Sequence, residues 1–298
     1  MRAQIFAHVL IQTLWMILGT FFCAHSPTQS FNPRRGNPEG DYDLATQSVL
    51  SVQAETPDKN NAAKSSYAIP AGTILPVRLN STLSSAKSKP GQIITARIMQ
   101  DIPLSSGTRI KEGSKVVGNI VEVTPASAGN AARISLRFDK LVTGHQKISI
   151  TTNLRAIAGF MRINEAQTPP IGPGESDVYR WLTTVQVGGD VVYGEGGPVT
   201  TGNDPNDVVG KAVAGGVLSQ VRANEAAKCR GAIEGNEGPQ ALWVFSSDAC
   251  GTYGLEHITI VSAGRSGVTG VIVFSSDKEN VKIPGGAGML LRVIKNRD

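Results

Sequence analysis

Aromatic residues are scarce in this chain, at 5% of its 298 positions, and charged residues reach only 18%. So few rings count against a nucleic-acid binder built on stacking platforms, which sets aromatics beside basic groups. Glycine (33) and proline (16) together make about 16% of the chain, above the ordinary share and below that of a low-complexity sequence. This composition excludes a coiled coil, a polytopic membrane protein and a wholly disordered chain. Histidine is rarer still, with four in all. Beyond the N-terminal segment only His25, His145 and His257 remain as imidazole bases. His25 falls in a polar stretch, His145 in the turn Gly144-His145-Gln146, and His257 just before Ile258-Thr259-Ile260, where it reads as a strand-surface residue.

Other chemical signatures are missing too. No G-x-S-x-G elbow occurs. Gly107 to Lys115, Gly188-Gly189, Gly196-Gly197 and Gly285-Gly286 match neither a P-loop nor a dinucleotide fingerprint. Asn203-Asp204-Pro205-Asn206-Asp207 is the one dense cluster of acids and amides, and it lacks the EF-hand spacing. It reads as a loop and helix cap, with a weak calcium contact as the alternative. The sequence therefore points to no catalytic residue, no cofactor and no metal site.

What is present begins with a leader. Arg2 precedes a run from Ile5 to Ala24 that is apolar apart from His8, Gln12 and a few small residues, the secretory pattern. Three fates are open for residues 1–24: a cleaved signal peptide, an uncleaved membrane anchor, or a lipoprotein acylated at Cys23. Each places the rest of the chain outside the cytoplasm. Past the leader only Cys229 and Cys250 remain, and an even pair in an exported chain reads as a disulfide. The net charge of +5 is mild for this length and reads as a mixed, solvated surface.

Residues 25–66 are rich in Ser, Pro, Asn, Gln and Lys and lack a core pattern, so they read as a disordered linker. From Tyr67 short apolar runs alternate with turn residues. Ile74–Leu79, Gln92–Ile98 and Lys115–Val123 read as strands, with Lys89-Pro90-Gly91 as a turn. Arg133–Phe138 alternates with period two, placing Ile134, Leu136 and Phe138 inward and Arg133, Ser135 and Arg137 outward. Residues 161–178 read as a long loop, Trp181–Val187 as a strand and 194–206 as a mobile loop. Asp207–Lys228 is the best helix candidate, capped by Asp207 and weakened by Gly215-Gly216. Strands return over 241–246, 256–262, 268–274 and 288–296. Val244-Phe245-Ser246-Ser247-Asp248 recurs as Val273-Phe274-Ser275-Ser276-Asp277, which reads as shared turn chemistry rather than duplication.

Two stretches carry a resemblance. Ala71-Gly72-Thr73-Ile74-Leu75-Pro76-Val77-Arg78-Leu79, then Lys89-Pro90-Gly91-Gln92, then Ile110-Lys111-Glu112-Gly113-Ser114-Lys115-Val116-Val117-Gly118 open the ordered part; Gly288 to Asp298 closes it. This is similar to the periplasmic barrel domain of conjugal-transfer (type IV secretion) scaffold proteins, over about 60 residues at the two ends. Lys111 stands where that family prefers proline. The resemblance implies a small β-barrel that packs against other envelope proteins.

The expected fold is mainly β, a barrel-like or sandwich domain over 67–298 with a long irregular insertion at about 161–228 and one short helix. Ile134, Leu136, Phe138, Val244 and Phe245 are the expected core. The expected function is a non-enzymatic, exported envelope component, a binding or scaffold module. It would sit in the periplasm or outer envelope of a bacterium and dock other envelope proteins or copies of itself through β edges or the loops around 161–206. Nucleic acid is not an expected partner, and the membrane is met only through an uncleaved N-terminal segment. The alternatives are a stand-alone carbohydrate-binding or adhesin-like module, which would expose Trp181, Trp243 or Tyr253 on one face, and a hydrolase in which Asp or Glu converges with His145 or His257.

Overall fold

The computed structural model describes residues 68–167, 184–194, 196–224, 229, 238–265 and 267–295. The leader, the linker and Trp181 lie outside them. The first group of strands is β1 (Ile74–Leu79), β2 (Leu83–Ser84), β3 (Ile93–Ile98), β4 (Ile102–Pro103), β5 (Arg109–Ile110), β6 (Lys115–Thr124), β7 (Ala132–Thr143), β8 (Gln146–Ser149) and β9 (Thr151–Ala158). One helix follows, α1 (Phe160–Gln167). The next group is β10 (Thr184–Val185), β11 (Val191–Val192), β12 (Pro198–Thr201), β13 (Asp204–Val213), β14 (Gly216–Ser219) and β15 (Gln240–Ala241). The last is β16 (Gly251–Tyr253), β17 (Thr259–Ala263), β18 (Ile272–Ser276), β19 (Lys282–Ile283) and β20 (Gly288–Ile294).

The large sheet runs in the order β16-β9-β20-β1-β3-β6-β7-β18-β17, with β8 on β7. Along that path only the β16–β9 pair is parallel. The link 254–258 joins its two ends, so the sheet is a nearly closed barrel, as the alternating strands and turns imply. Period-two alternation sets the interior. Ile134, Leu136 and Phe138 of β7 are buried, while Arg133 and Arg137 are exposed. Ser135, expected outward with the arginines, is also covered.

Three strands bury both faces, so their buried residues do not alternate. In β1, Leu75 and Val77 join the barrel core while Ile74 joins a second core; in β20, Met289 and Leu291 face one and Leu290 the other. In β9, Leu154 and Ile157 belong to the barrel core and Ala156 and Ala158 to the second. The second core exists because another layer covers this side of the barrel. Ile163 of α1, Val192, Val199, Val209, Leu242, Trp243, Val244 and Phe245 fill it. Val244 and Phe245 are therefore core residues, as expected.

That covering layer corrects the reading of the insertion. A six-stranded sheet, β10-β11-β12-β13-β14-β15, lies where irregular chain is expected. In place of a helix over Asp207–Lys228, β13 and β14 form a hairpin through Ala214-Gly215, with Val213 paired to Gly216. Val208, Val209, Val213 and Val217 favour extended chain, and Gly215 supplies the positive φ of 81° that the turn needs. Residues 198–206, expected as mobile loop, belong to the β12–β13 hairpin. The helix lies at 160–167 instead, inside the expected loop, and buries Ile163 and Ala166. Only Ala241 of the strand expected at 241–246 lies in a strand, β15; Leu242 to Phe245 turn, with Trp243 at φ 55°. The second copy of the Ser-Ser-Asp echo lies in β18, so similar residues adopt two conformations and the echo is not a structural repeat.

Buried amides tie the layers together. Gln100, fully buried, accepts from Trp243 N (2.7 Å) and donates through Nε2 to Val217 O (2.8 Å). Gln240 Oε1 accepts from Ile74 N at 3.2 Å. Replacing Gln100 with leucine strands the Trp243 N–H in the interior and leaves Val217 O with Leu242 N alone, so Q100L should destabilise the fold by about 1–3 kcal/mol. Urea unfolding followed by tryptophan fluorescence measures the loss.

Candidate functional site

The second sheet and the barrel-side chain meet at a cluster of turns, and their polar groups enclose a pocket of about 340 Å³. Gly188-Gly189 closes the β10–β11 hairpin, with Gly189 N donating to Gln186 O and Gln186 N to Asp190 O. The hairpin is sewn to the turn that follows Trp243: Val187 N donates to Val244 O, Ser246 N to Val187 O, and Gln186 Nε2 to Phe245 O. The approach is so close that a Cβ on Gly188, at φ 113°, would lie 2.1 Å from Ser246 Oγ. Only glycine fits there. Thr201, Gly202 and Asn203 from the β12–β13 hairpin add a second wall, and Arg222 and Ala223 a third.

The third wall is a strap held at several points. Arg222 N donates to Ser247 O (2.8 Å), Asn224 Nδ2 to Asp248 O (3.1 Å), and Asn224 and Cys229 exchange two main-chain bonds. Cys229 is bridged to Cys250, with Cα atoms 6.1 Å apart, as their pairing in the sequence implies. The disulfide thus locks the strap to the turn that carries Ser247 and Asp248.

Asp190 is the central group. It is only 4% exposed, and its Oδ2 accepts from Ser247 N. Burial pushes its pKa up, and the charge of Asp248 pushes the same way. The Ser247 main chain and side chain and the Arg222 guanidinium oppose the shift. Ser247 Oγ is buried and, although near enough to favour the Asp190 charge, makes no hydrogen bond of proper geometry. Asp248 Oδ1 accepts from Ser246 Oγ at 2.8 Å. Arg222 is paired with Asp207.

Behind this wall lies Arg155, 3% exposed, whose Nη2 donates to Arg222 O at 2.6 Å. Burial, then the charges of Arg265 and Arg292, lower its pKa to about 10, while Asp248 and Tyr253 favour its charged form. Burial and Arg292 lower Arg265 as well. Burial raises the Tyr253 pKa, with Asp248 adding to it; the phenol oxygen accepts from Cys250 N.

A second concavity, a groove of about 760 Å³, runs between Pro70, Pro103 and Leu104 on the barrel side and Leu218, Pro239 and Gln240 on the sheet. Lys211 is its one ionisable lining residue.

The residues singled out from sequence are placed as follows. His145 is exposed on the two-residue turn between β7 and β8; His257 is exposed in the 254–258 link, at φ 61°, a turn residue rather than a strand one. Neither lines the pocket or the groove. Trp243 is 2% exposed and belongs to the second core, so it presents no face to a ligand, and Tyr253 is half-buried. Asp204 accepts from Asn206 N and Asp207 pairs with Arg222, on a β hairpin rather than a helix cap. Among the described residues no group of three or more His, Cys, Asp or Glu is arranged to hold a metal ion, and no helix is long and apolar enough to cross a membrane. Asp190, Ser247 and Asp248 were not legible as a site. Their one signal is a Gly-Gly-Asp and a Ser-Ser-Asp turn, each placed against apolar runs.

No protein-family model and no curated protein matches the chain.

Two outcomes follow. Opening the disulfide with C229S/C250S should cost about 3 kcal/mol of stability, read as a lower urea midpoint with and without reductant. Asp190 holds its proton to higher pH when folded than when unfolded, so the folded state binds more protons above the ordinary value of 3.8. Stability therefore falls as pH rises through the window from 3.8 to the raised value and stays down above it. D190N, which keeps an acceptor for Ser247 N, removes that slope, so wild type should lose ground to the variant as urea midpoints are taken from acid to neutral pH.

Proposed function

We propose that the protein is a non-enzymatic, exported component of the bacterial cell envelope, a binding module that engages its partner at the turn pocket. The observation that carries this reading is the construction of the pocket: four chain segments, one tied down by the Cys229–Cys250 bridge, hold a buried carboxylate at a concave surface. A disulfide in a chain that opens with an export-type leader fits an oxidising compartment. The barrel, by its resemblance to those of conjugal-transfer scaffold proteins, supplies a rigid support and a surface for neighbouring envelope proteins. Among the described strands the second sheet ends at β10, where Val185 is 63% exposed, and this edge offers a place for strand addition.

The full chain, expressed with its leader in a bacterium, tests the proposal. We expect it in the periplasmic or envelope fraction with Cys229 and Cys250 oxidised. A photo-crosslinker placed at Asn203, on the pocket wall, should capture an envelope partner, and one placed at His145 should not. Cytoplasmic protein with free thiols would remove the export part of the proposal; identical capture from both positions would remove the pocket from it. Sizing by light scattering separates two forms of the same function. A ring-sized assembly indicates a scaffold subunit, and a monomer indicates a stand-alone module.

A further inference from the structure

The nature of the ligand can be argued from the charges in the turn pocket; the argument rests on the binding-module reading of that pocket. Asp190 and Asp248 both line it, and the Asp248 charge disfavours that of Asp190. Their compensation is unequal. Asp248 has Arg155 near it as a buried cation and Ser246 Oγ as a donor. Asp190 has the main-chain donor Ser247 N, the nearby Ser247 hydroxyl in poor geometry, and the field of Arg222, whose guanidinium is engaged with Asp207. A carboxylate that is 4% exposed and so lightly neutralised carries a desolvation cost that the surrounding chain does not fully offset.

Ser247 gives a second indication. The residue is 1% exposed, it lines the pocket, and its Oγ lacks a hydrogen bond of proper geometry. Buried hydroxyls are normally satisfied, and one that is not, at the wall of a cavity, asks for a ligand. The missing group must bring positive charge for Asp190 and more than one N–H donor, one for a carboxylate and one for the Ser247 oxygen. A primary ammonium has three donors and no acceptor. The rest of the wall, Thr201, Asn203 and the main chain of Gly188 and Gly189, offers hydroxyl, amide and peptide groups suited to a polar body behind that ammonium. A bare hard cation matches less well, since Arg222 stands in the wall and the space of about 340 Å³ is far larger than an ion needs.

We propose that the pocket binds a small polar molecule through a protonated primary amine, seated between Asp190, Asp248 and Ser247 Oγ. Two sources carry this chemistry, an amino sugar and a basic amino acid. Calorimetric titration of the full chain with D-glucosamine and with L-lysine, against N-acetyl-D-glucosamine as the probe without a charge, tests it. At least one amine should bind, and the acetylated sugar should bind about ten-fold or more weakly, because the charge-assisted bonds are lost. Glucosamine alone assigns an amino sugar, lysine alone an amino acid, and both together recognition of the ammonium itself. D190N should weaken the amine by a similar factor. If that variant does not fold, amide NMR of the wild type takes its place: the Gly189 and Ser247 signals should move with the amine and stay still with the acetylated sugar.

Equal binding of N-acetyl-D-glucosamine overturns the ammonium assignment while leaving a binding pocket in place. Failure of both amines to bind at about 10 mM, or an unchanged affinity in D190N, also overturns it. The capture experiment at Asn203 then decides the binding-module reading separately.

Discussion

The side-chain amide of Gln100 holds the two layers of this protein together. Its oxygen takes the N–H of Trp243 and its nitrogen reaches Val217 O, both in the interior. Val217 O also accepts from Leu242 N within the second layer, whereas the N–H of Trp243, which stands at φ 55° in a turn, is met from the barrel side by Gln100. Burying such groups without a partner is costly, so the amide sets where the second sheet sits on the barrel. Ser246, Ser247 and Asp248 follow on that point and are bound there also by the β10–β11 hairpin and the Arg222 strap.

The turn cluster is held by main-chain bonds as well as by the packing of Val187, Val244 and Phe245 in the second core. The β10–β11 hairpin, the strap at Arg222 and the turn at Ser246–Cys250 exchange hydrogen bonds through their backbones. Two opposed fields meet there. Asp190 and Asp248 lie on one side; Arg155, with Arg265 and Arg292 in its field, lies behind them. The arginines repel one another, and Asp248 relieves Arg155 in part. The pocket thus lies against two sets of like charges, and Arg222 in its own wall also steadies Asp190.

The barrel was readable from the chain because its strands follow rules that act locally. Ile134, Leu136 and Phe138 alternate with exposed arginines, and Pro90-Gly91 turns the chain as its residue types require. The second sheet was not readable, for a physical reason in each part. Gly215-Gly216 weakens a helix and closes a hairpin equally well, and the valines on either side decide between them only when a neighbouring strand is present to pair with. Residues 198–206 are polar and rich in turn formers, yet pairing with Gly210 and Lys211 makes part of them a strand. The Ser-Ser-Asp motif is a strand end in β18 and a pocket wall after Trp243, so its role is set by what lies across from it. Asp190 carries no local mark of function at all; its burial comes from segments about ten to sixty residues away.

The order of the large sheet has a consequence for how the molecule is made. β20 is not at an edge; it lies between β1 and β9, with Ile74 opposite Arg292 and Thr152 opposite Val293. While the ribosome or a translocation channel still holds residues 288–294, β1 and β9 have no strand between them and the barrel has a gap in its middle. The small sheet has no such dependence, since its pairings run between successive strands from β10 to β15. A vectorially delivered chain would therefore pair its second sheet before it closes the barrel, with the facing edges of β1 and β9 waiting in the open until the final strand arrives.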